Sequence, residues 1–364
     1  MSRRDFGTIV SKGQGKWLVR WSEGGRRKSK TVTGSKRDAQ RFLAGIQAAA
    51  TGDVSHMTLG TFWEHRYRSH VARLAETTVL GYEHVWAASV RPRFGDVAMA
   101  DVSRADVQDW LDGMSHGKAS HALSLMRAMY GYAEDLGLVD VNVMRKKYRL
   151  PRRDARMRAV NDMTHDRATL EAILAACEGQ SWEAGYILSA FGGLRREEAL
   201  GCRWESIEWA DGFAMVHVHE VCVSVNGRPV VKETKTAHSV RTVPIPMPYS
   251  TRLAAIRAQY PDDVWVSDDG FGYPLNPDTV AERWKRWHTL QPFPFVPWKN
   301  LRKSYGSVLH GEGIDLATIA KLLGHSGTQT TYSWYDRPSL EHLKTAVSHQ
   351  LVTNEKREAS DTSR

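Results

Sequence analysis

Cysteine is scarce in this chain of 364 residues. The three cysteines, Cys177, Cys202 and Cys222, lie far apart and form no C-x-x-C pair. This spacing argues against a disulfide framework and against a zinc site, both of which need paired or closely spaced cysteines. We expect reduced and mostly buried thiols.

Long apolar runs are also missing. No stretch approaches the roughly 18 unbroken apolar residues of a membrane-spanning helix. The first residues, MSRRDFGTIVSKGQGKW, lack the apolar core of a secretory signal. We therefore expect a cytoplasmic protein.

Acidic residues are few at the start of the chain. Residues 1–56 hold 12 Lys and Arg but only 4 Asp and Glu, a local charge of +8 out of the formal +9. The remaining chain is therefore almost neutral. A basic module on a neutral body indicates a polyanionic partner, above all nucleic acid. A basic face that only aids solubility is the alternative.

The basic stretch has the pattern of a small folded module. Short β-rich runs separated by glycines predict a three-stranded antiparallel sheet over residues 7–33. Ser35, with Asp38 three residues later, is a suitable cap for a following helix. We interpret residues 1–53 as a βββα DNA-binding module, with a linker beginning at Gly52-Asp53. Its candidate DNA-binding residues are Arg20, Arg26, Arg27, Lys28 and Lys30.

Residues 57–150 have the apolar periodicity of helices throughout. Ser103 and Asp106 predict one helix start, and Gly137 predicts the end of the longest helix. A basic segment follows over residues 146–158, and it is interpreted either as a linker lying along phosphates or as a solvated hinge. Its candidate DNA-binding residues are Lys147, Arg149 and Arg152.

Residues 160–350 alternate between helical and strand-like patterns. Strands are predicted over residues 214–219, 221–225, 230–234 and 240–245, with a turn at Asn226-Gly227. The tail, residues 353–364, is polar and is predicted to be disordered. The expected fold class is multidomain α+β: a small βββα module, an all-helical domain, and a mainly helical domain with a small antiparallel sheet.

Breaking a phosphodiester bond requires a nucleophile, positive charge at the phosphate and a proton donor for the leaving oxygen. Arginine suits the second task because its planar fork donates two hydrogen bonds and stays charged. The C-terminal half offers such groups in five stretches. These are GLRREEAL at 193–200, KTAHSVRTVP at 235–244, KNLR at 299–302, LLGHS at 322–326 and TTYSWY at 330–335.

The order of these five stretches resembles the tyrosine recombinases. That family has an arginine in G-L-R-x-x-E, a hairpin lysine in K-T, an H-x-x-R helix, an L-G-H turn and then a tyrosine. The motif resemblance covers residues 190–349. The βββα module is similar to the arm-type DNA-binding domain of phage integrases, and residues 57–150 are similar to their core-binding domain.

The resemblance implies a role for each matching residue. Arg195 and Arg302 would clamp the scissile phosphate, and Glu198 would support the site. His325 would donate a hydrogen bond to the same phosphate. Lys235 would protonate the departing 5′ oxygen, with Lys232 as a rival three residues earlier.

The first histidine of H-x-x-R is replaced by Lys299. Histidine accepts a proton near neutral pH, whereas a lysine of ordinary pKa, about 10.4, does not. Our preferred interpretation is that Lys299 adds positive charge at the phosphate. The alternative is a desolvated lysine that serves as the base.

Two tyrosines compete as nucleophile. Tyr335 lies ten residues after His325 and Tyr332 only seven. Only Tyr335 has the family's spacing, so Tyr332 is interpreted as a packing residue. The implied reaction is a transesterification through a 3′-phosphotyrosine, without metal, nucleotide or other cofactor.

The resemblance also implies partners: double-stranded attachment-site DNA, a homotetramer in the synaptic complex, and a directionality or DNA-bending accessory factor. A last helix with Leu340, Leu343 and Val347 is a candidate for docking onto a neighbouring protomer or for core packing.

Three functions compete. They are an integrase of a phage or other mobile element, favoured by the N-terminal module; an Xer-like resolvase of the same chemistry; and a non-catalytic DNA-binding regulator, favoured only by Lys299.

Overall fold

The computed structural model describes residues 7–23, 26–51, 57–139, 141–234 and 239–325. The chain divides into two compact units, Met1–Ala155 and Arg156–Arg364. Several predictions concern residues outside the described ranges. They are the linker start at Gly52-Asp53, Lys235, the tyrosines Tyr332 and Tyr335, the last helix with Leu340, Leu343 and Val347, and the tail 353–364.

The N-terminal module is a three-stranded antiparallel sheet followed by a helix, as predicted. The central strand pairs with both neighbours. Ser35 and Asp38 cap the helix reciprocally: the Ser35 N–H donates to Asp38 Oδ2 (2.7 Å), and the Asp38 N–H donates to Ser35 Oγ (3.3 Å). The helix covers one sheet face and buries Val19, Trp21, Ala39 and Ile46. The elements are β1 (Gly7–Gly13), β2 (Lys16–Glu23), β3 (Arg26–Thr33) and α1 (Lys36–Thr51).

The helical block has its own core of aromatic, Met and Leu side chains. Ser103 accepts a hydrogen bond from the Asp106 N–H (3.1 Å), which confirms the predicted helix start. Gly137 has a left-handed φ of +65° just after the longest helix. The helices are α2 (Leu59–Phe62), α3 (Arg68–Val71), α4 (Glu76–Val85), α5 (Arg91–Phe94), α6 (Arg104–Asp112) and α7 (His116–Asp135), with π-helical turns at Trp63–Tyr67 and Trp86–Val90.

The second unit is mainly helical around one large buried core. Its helices are α8 (Ala155–Asp162), α9 (Arg167–Ala176), α10 (Glu183–Phe191), α11 (Arg196–Leu200), α12 (Tyr249–Gln259), α13 (Pro277–His288), α14 (Leu301–Gly311) and α15 (Leu316–Leu323). A 3-10 turn, Trp298–Asn300, leads directly into α14. Helix α8 includes the last four residues of the basic segment 146–158, so residues 155–158 are helical rather than a hinge.

The strands of this unit form two small antiparallel sheets. One has the order β4-β5-β8 and the other is the hairpin β6-β7. Asn226 (φ +51°) and Gly227 (φ +77°) make the predicted turn of that hairpin. The short strand β4 was not predicted. The strands are β4 (Ile207–Ala210), β5 (Phe213–Val218), β6 (Glu220–Val225), β7 (Arg228–Glu233) and β8 (Arg241–Ile245).

These elements match the expected multidomain α+β class. The domain boundaries at 53, 57, 150 and 160 remain predictions. Within the described ranges, no helix has both the length and the apolar character needed to cross a membrane.

Candidate active site

Glu198 is the centre of the candidate site. It lies in the first turn of α11, and its side chain is only 2% exposed. Its Oε2 accepts the backbone N–H of Arg195 (2.8 Å), and its Oε1 accepts Arg195 Nη1 (2.6 Å). Arg195 itself is 40% exposed. The acidic residue therefore holds the outward-facing arginine at the start of its own helix.

The glycine before this helix fixes the local backbone. Gly193 has a left-handed φ of +66°, and a Cβ added there would lie 2.4 Å from Cδ1 of Tyr305. No other residue type fits this position without displacing the Tyr305 ring. The Gly193 carbonyl accepts a hydrogen bond from Arg302 Nη1 (3.0 Å).

A second arginine binds Glu198 from strand β8. Arg241 donates through Nη2 to Oε2 (2.8 Å) and through Nη1 to Oε1 (3.2 Å), and its side chain is 7% exposed. Its Nε also donates to the Leu322 carbonyl at the end of α15 (2.9 Å). Sequence reasoning included Arg241 in a motif but gave it no role. The available signal was strand periodicity, because Val243 and Ile245 point inward and Arg241 lies two and four residues before them.

Arg302 completes the cluster. Its Nη1 lies 3.8 Å from Glu198 Oε2, and its Nη2 donates to the Leu323 carbonyl. The side chain is 11% exposed. The structure thus brings the two predicted arginines, Arg195 and Arg302, onto one carboxylate together with Arg241.

The charges of this cluster do not cancel. Burial alone would raise the pKa of Glu198, but the hydrogen bonds and charge of Arg241, with the charge of Arg195, lower it to about 2. Glu198 is therefore ionised at neutral pH. Three arginines and one carboxylate leave a net charge of +2, which suits a phosphate diester.

His325 follows α15 directly. Gly324 ends the helix with a left-handed φ of +62°, and the His325 N–H donates to the Ala320 carbonyl (3.0 Å). Burial and the charges of Arg302, Arg195 and Arg241 together lower the pKa of His325 to about 4, against the opposing charge of Glu198. The imidazole is therefore neutral at pH 7 and carries one N–H donor.

Lys299 lies one helical turn before Arg302 and is exposed. A lysine that acts as a base needs desolvation to lower its pKa. The two interpretations of Lys299, added positive charge at the phosphate and a desolvated base, both stay predictions.

The remaining catalytic candidates are two lysines and two tyrosines. Lys235 and Tyr335 lie outside the described residues, as does Tyr332. Lys232, the rival of Lys235, is half-buried on β7 opposite Val221. The choice between the two lysines stays a prediction.

The N-terminal basic residues divide between the two faces of the sheet. Paired residues of antiparallel strands share a face, and Val19, which is buried against α1, pairs with Lys30. Lys30 Nζ lies 5.0 Å from the centre of the Phe42 ring on α1. By the same register Arg26 and Lys28 share this helix-covered face.

The opposite, open face of the sheet carries Arg20 and Arg27. Small hydroxyl side chains surround them on this face, namely Thr8, Ser22, Ser29 and Thr31.

The basic segment after residue 145 begins as an extended strap on the helical block. Gln108 on α6 exchanges two hydrogen bonds with the backbone of Arg149 (both 3.0 Å). Tyr148 and Leu150 pack against the helical core, and Lys147 and Arg149 are exposed. Arg152 is also exposed. The strap is therefore anchored up to Pro151, whose carbonyl hydrogen-bonds with His116 Nδ1 (2.7 Å).

The chain belongs to the phage integrase family of tyrosine recombinases. The model of the phage integrase family matches residues 163–342, and that of the phage integrase N-terminal SAM-like domain matches residues 58–115. The first match contains the whole arginine cluster and His325. The protein is thus a site-specific DNA recombinase of the tyrosine type, which confirms the expected family and enzyme class.

Two curated relatives are similar over most of the chain. A "tyrosine recombinase XerC-like" of Caldanaerobacter subterraneus subsp. tengcongensis is 22% identical over 336 residues, 84% of this chain and 86% of that protein. An integrase of Streptomyces ambofaciens is 24% identical and covers 71% of each chain.

Solved integrase structures share the fold. The Tn1549 transposon integrase in complex with a circular intermediate DNA has a TM-score of 0.66 at 14% identity, covering 84% of this chain and 99% of that chain. A lambda integrase dimer bound to a COC′ core site has a TM-score of 0.56 at 15% identity, covering 92% and 96%.

Proposed function

We propose that this recombinase cleaves and rejoins double-stranded DNA through a 3′-phosphotyrosine on Tyr335, and that it integrates a phage or other mobile element. The observation that carries the proposal is the arginine cluster on Glu198. Its net charge of +2 is fixed by hydrogen bonds before DNA arrives, so little reorganisation is needed to stabilise a pentavalent phosphate.

Each residue has one task in this mechanism. Arg195 and Arg302 bind the non-bridging oxygens, and neutral His325 donates its N–H to the same phosphate. The Tyr335 oxygen attacks phosphorus in line, and its phenolic proton passes to solvent water. The bond to the 5′ oxygen breaks as Lys235 protonates that oxygen. Lys299 contributes positive charge.

Assembly and DNA binding extend the proposal. We infer a homotetramer on two duplexes, with scope for a directionality or DNA-bending factor. A lambda integrase tetramer bound to a Holliday junction supports this by fold, with a TM-score of 0.58. The open face of the N-terminal sheet, with Arg20 and Arg27, is the proposed arm-site surface. Lys147, Arg149 and Arg152 on and beside the strap are proposed to contact core-site phosphates.

A nicked suicide duplex that carries the core site tests the chemistry. The wild-type protein and Tyr332→Phe should form a covalent adduct on a denaturing gel, and Tyr335→Phe should form none. The absence of an adduct with the wild-type protein would contradict the enzyme proposal. An adduct with Tyr335→Phe would contradict the choice of nucleophile.

An Xer-like resolvase is the second candidate. It is supported by the XerC-like relative and by a tyrosine recombinase XerA of Pyrococcus furiosus, 30% identical over 159 residues and 49% of that protein. Recombination between two unlike sites on separate plasmids is expected of an integrase. Exchange restricted to two identical sites would instead favour the resolvase.

A further inference from the structure

Helix α14 and the 3-10 turn before it present two different faces. Arg302 points from one face toward Glu198 and the Gly193 carbonyl. Asn300, Lys303 and Ser304 are spaced i, i+3 and i+4, so they share another face. That face contacts residues 160–165, where the chain leaves α8 and enters α9. We call this contact the linker clasp.

Asn300 is the centre of the clasp. Its buried Nδ2 donates to the Val160 carbonyl (3.2 Å) and to the Met163 carbonyl (3.0 Å). The last carbonyls of a helix have no partner within that helix and need an outside donor. Asn300 supplies this donor for the end of α8 from about 140 residues further along the chain.

Two neighbours of Asn300 reinforce the contact. Ser304 Oγ accepts the backbone N–H of His165 (3.0 Å) and donates to the Asn300 carbonyl (3.0 Å). Ser304 is fully buried. Lys303 Nζ contacts the Asp162 carbonyl (3.3 Å) and Asp162 Oδ1 (3.4 Å). Hydrogen bonds from three residues within about one helical turn therefore tie residues 160–165 to the start of α14.

We propose that Asn300 is a positioning residue that couples the placement of the linker helix α8 to the placement of Arg302. Asn300 is buried, and it fixes the start of the helix that carries the arginine. A displacement of α8 is transmitted through two carbonyls to Asn300 and, two residues later, to Arg302. The inference rests on the proposed role of Arg302 at the phosphate.

The test is the first-order rate of adduct formation on the nicked suicide duplex at saturating DNA, with the full chain. Asn300→Ala is expected to lower this rate roughly 10- to 100-fold, because small misplacements of a catalytic group have effects of this size. The DNA dissociation constant should change little. Asn300→Gln keeps an amide donor and should recover part of the rate.

A double substitution separates positioning from simple loss of structure. If Asn300 acts through Arg302, the effect of Asn300→Ala should shrink in an Arg302→Lys background, since the arginine geometry is already lost there. Fully multiplicative effects would overturn the proposal. Asp162→Ala removes the exposed end of the clasp without threatening the fold, and it should lower the rate in the same direction by less.

Ser250→Ala is the matched control for Ser304→Ala. Ser250 is also buried in this unit, and its Oγ donates to the Gly212 carbonyl (2.6 Å). Only Ser304→Ala should slow cleavage at a comparable loss of Tm; equal slowing in both would overturn the proposal. If Asn300→Ala keeps the wild-type rate while Arg302→Ala is inactive, the positioning role of Asn300 is wrong and the role of Arg302 stands. Normal cleavage by Arg302→Ala would instead defeat the role proposed for Arg302.

Discussion

The N-terminal sheet and the Glu198 cluster are two basic regions built on opposite principles. On the N-terminal sheet, Arg20 and Arg27 lie exposed on an open face, and the local charge is spread over several strands. Around Glu198, the guanidinium groups of Arg241 and Arg302 are nearly enclosed and are hydrogen-bonded to protein oxygens. The first region resembles a charged surface, and the second a rigid receptor.

The difference teaches how positive charge is used for different tasks. Affinity for a long polyanion comes from many exposed cations that release counterions, and their individual positions matter little. Stabilising one transition state requires donors that are already fixed where charge will develop. The carboxylate and carbonyls around Arg302 provide that fixation at the expense of some net charge.

The largest expected effect is at the enclosed region. Arg302→Ala should reduce the rate of adduct formation by about 100- to 1000-fold, the usual effect of removing one preorganised donor. The measurement is single-turnover cleavage of the suicide duplex at saturating protein. Arg27→Ala, the control from the open region, should leave this rate unchanged. A similar loss in both variants would erase the distinction between the regions.

Stability should distinguish the regions next. Glu198→Gln keeps the shape but leaves buried Arg241 without its carboxylate, and it should lower the free energy of unfolding by about 3–5 kcal/mol. Urea denaturation checks this value. Glu197→Gln is the matched control in the same helix: its ion pair with Arg196 is far more exposed, so a loss of at most about 1 kcal/mol is expected. Equal losses would contradict the enclosed character of the cluster.

The pH dependence of stability should report His325. Its pKa is about 4 when folded and about 6.5 when unfolded, so below pH 6.5 the unfolded chain binds the proton more readily. Stability should therefore be constant above pH 6.5 and fall between pH 6.5 and 4. His165 and His288, whose pKa values are lowered by burial, act in the same direction.

Comparing the wild-type protein with His325→Gln isolates this contribution. The variant should show a shallower decline between pH 6.5 and 4, measured as the free energy of unfolding in urea. Glu198, with its pKa lowered to about 2, should add a further loss only at lower pH, below about 4.5. Superimposable curves for both proteins would contradict the lowered pKa of His325.

The smallest effect concerns the two faces of the sheet. Arg27→Ala should reduce the slope of log K against log salt for arm-site DNA by about 0.9, the loss of one phosphate contact. Lys30→Ala, on the face covered by α1, should change the slope less. Fluorescence anisotropy at several salt concentrations measures both slopes. A greater change for Lys30 would mean that the DNA meets the other face or the sheet edge.

Local features could be predicted from sequence because their causes are local. The caps Ser35 and Ser103 and the turn Asn226-Gly227 depend on residues within a few positions, and all three were confirmed. The two arginines proposed to bind the phosphate, Arg195 and Arg302, could be identified by motif. The short strand β4 offered only four residues of pattern and was missed.

Features that depend on distant partners could not be predicted. Arg241 stands in a motif, but its role depends on Glu198, 43 residues earlier. Which of Arg27 and Lys30 lies on the helix-covered face depends on the register of β3 against β2. Asn300 has no periodic signal for its contact with Val160, because only the folded chain brings the two together.

The end of α15 has a consequence for the charge balance of the candidate site. Arg241 donates to the Leu322 carbonyl and Arg302 to the Leu323 carbonyl. These are among the unpaired carbonyls that make a helix C-terminus equivalent to roughly half a negative charge. The helix macrodipole therefore acts as a built-in counterion beside Glu198. In the proposed reaction, a phosphate would therefore meet a field already moderated by backbone carbonyls, which would favour release of the rejoined strand as well as its capture.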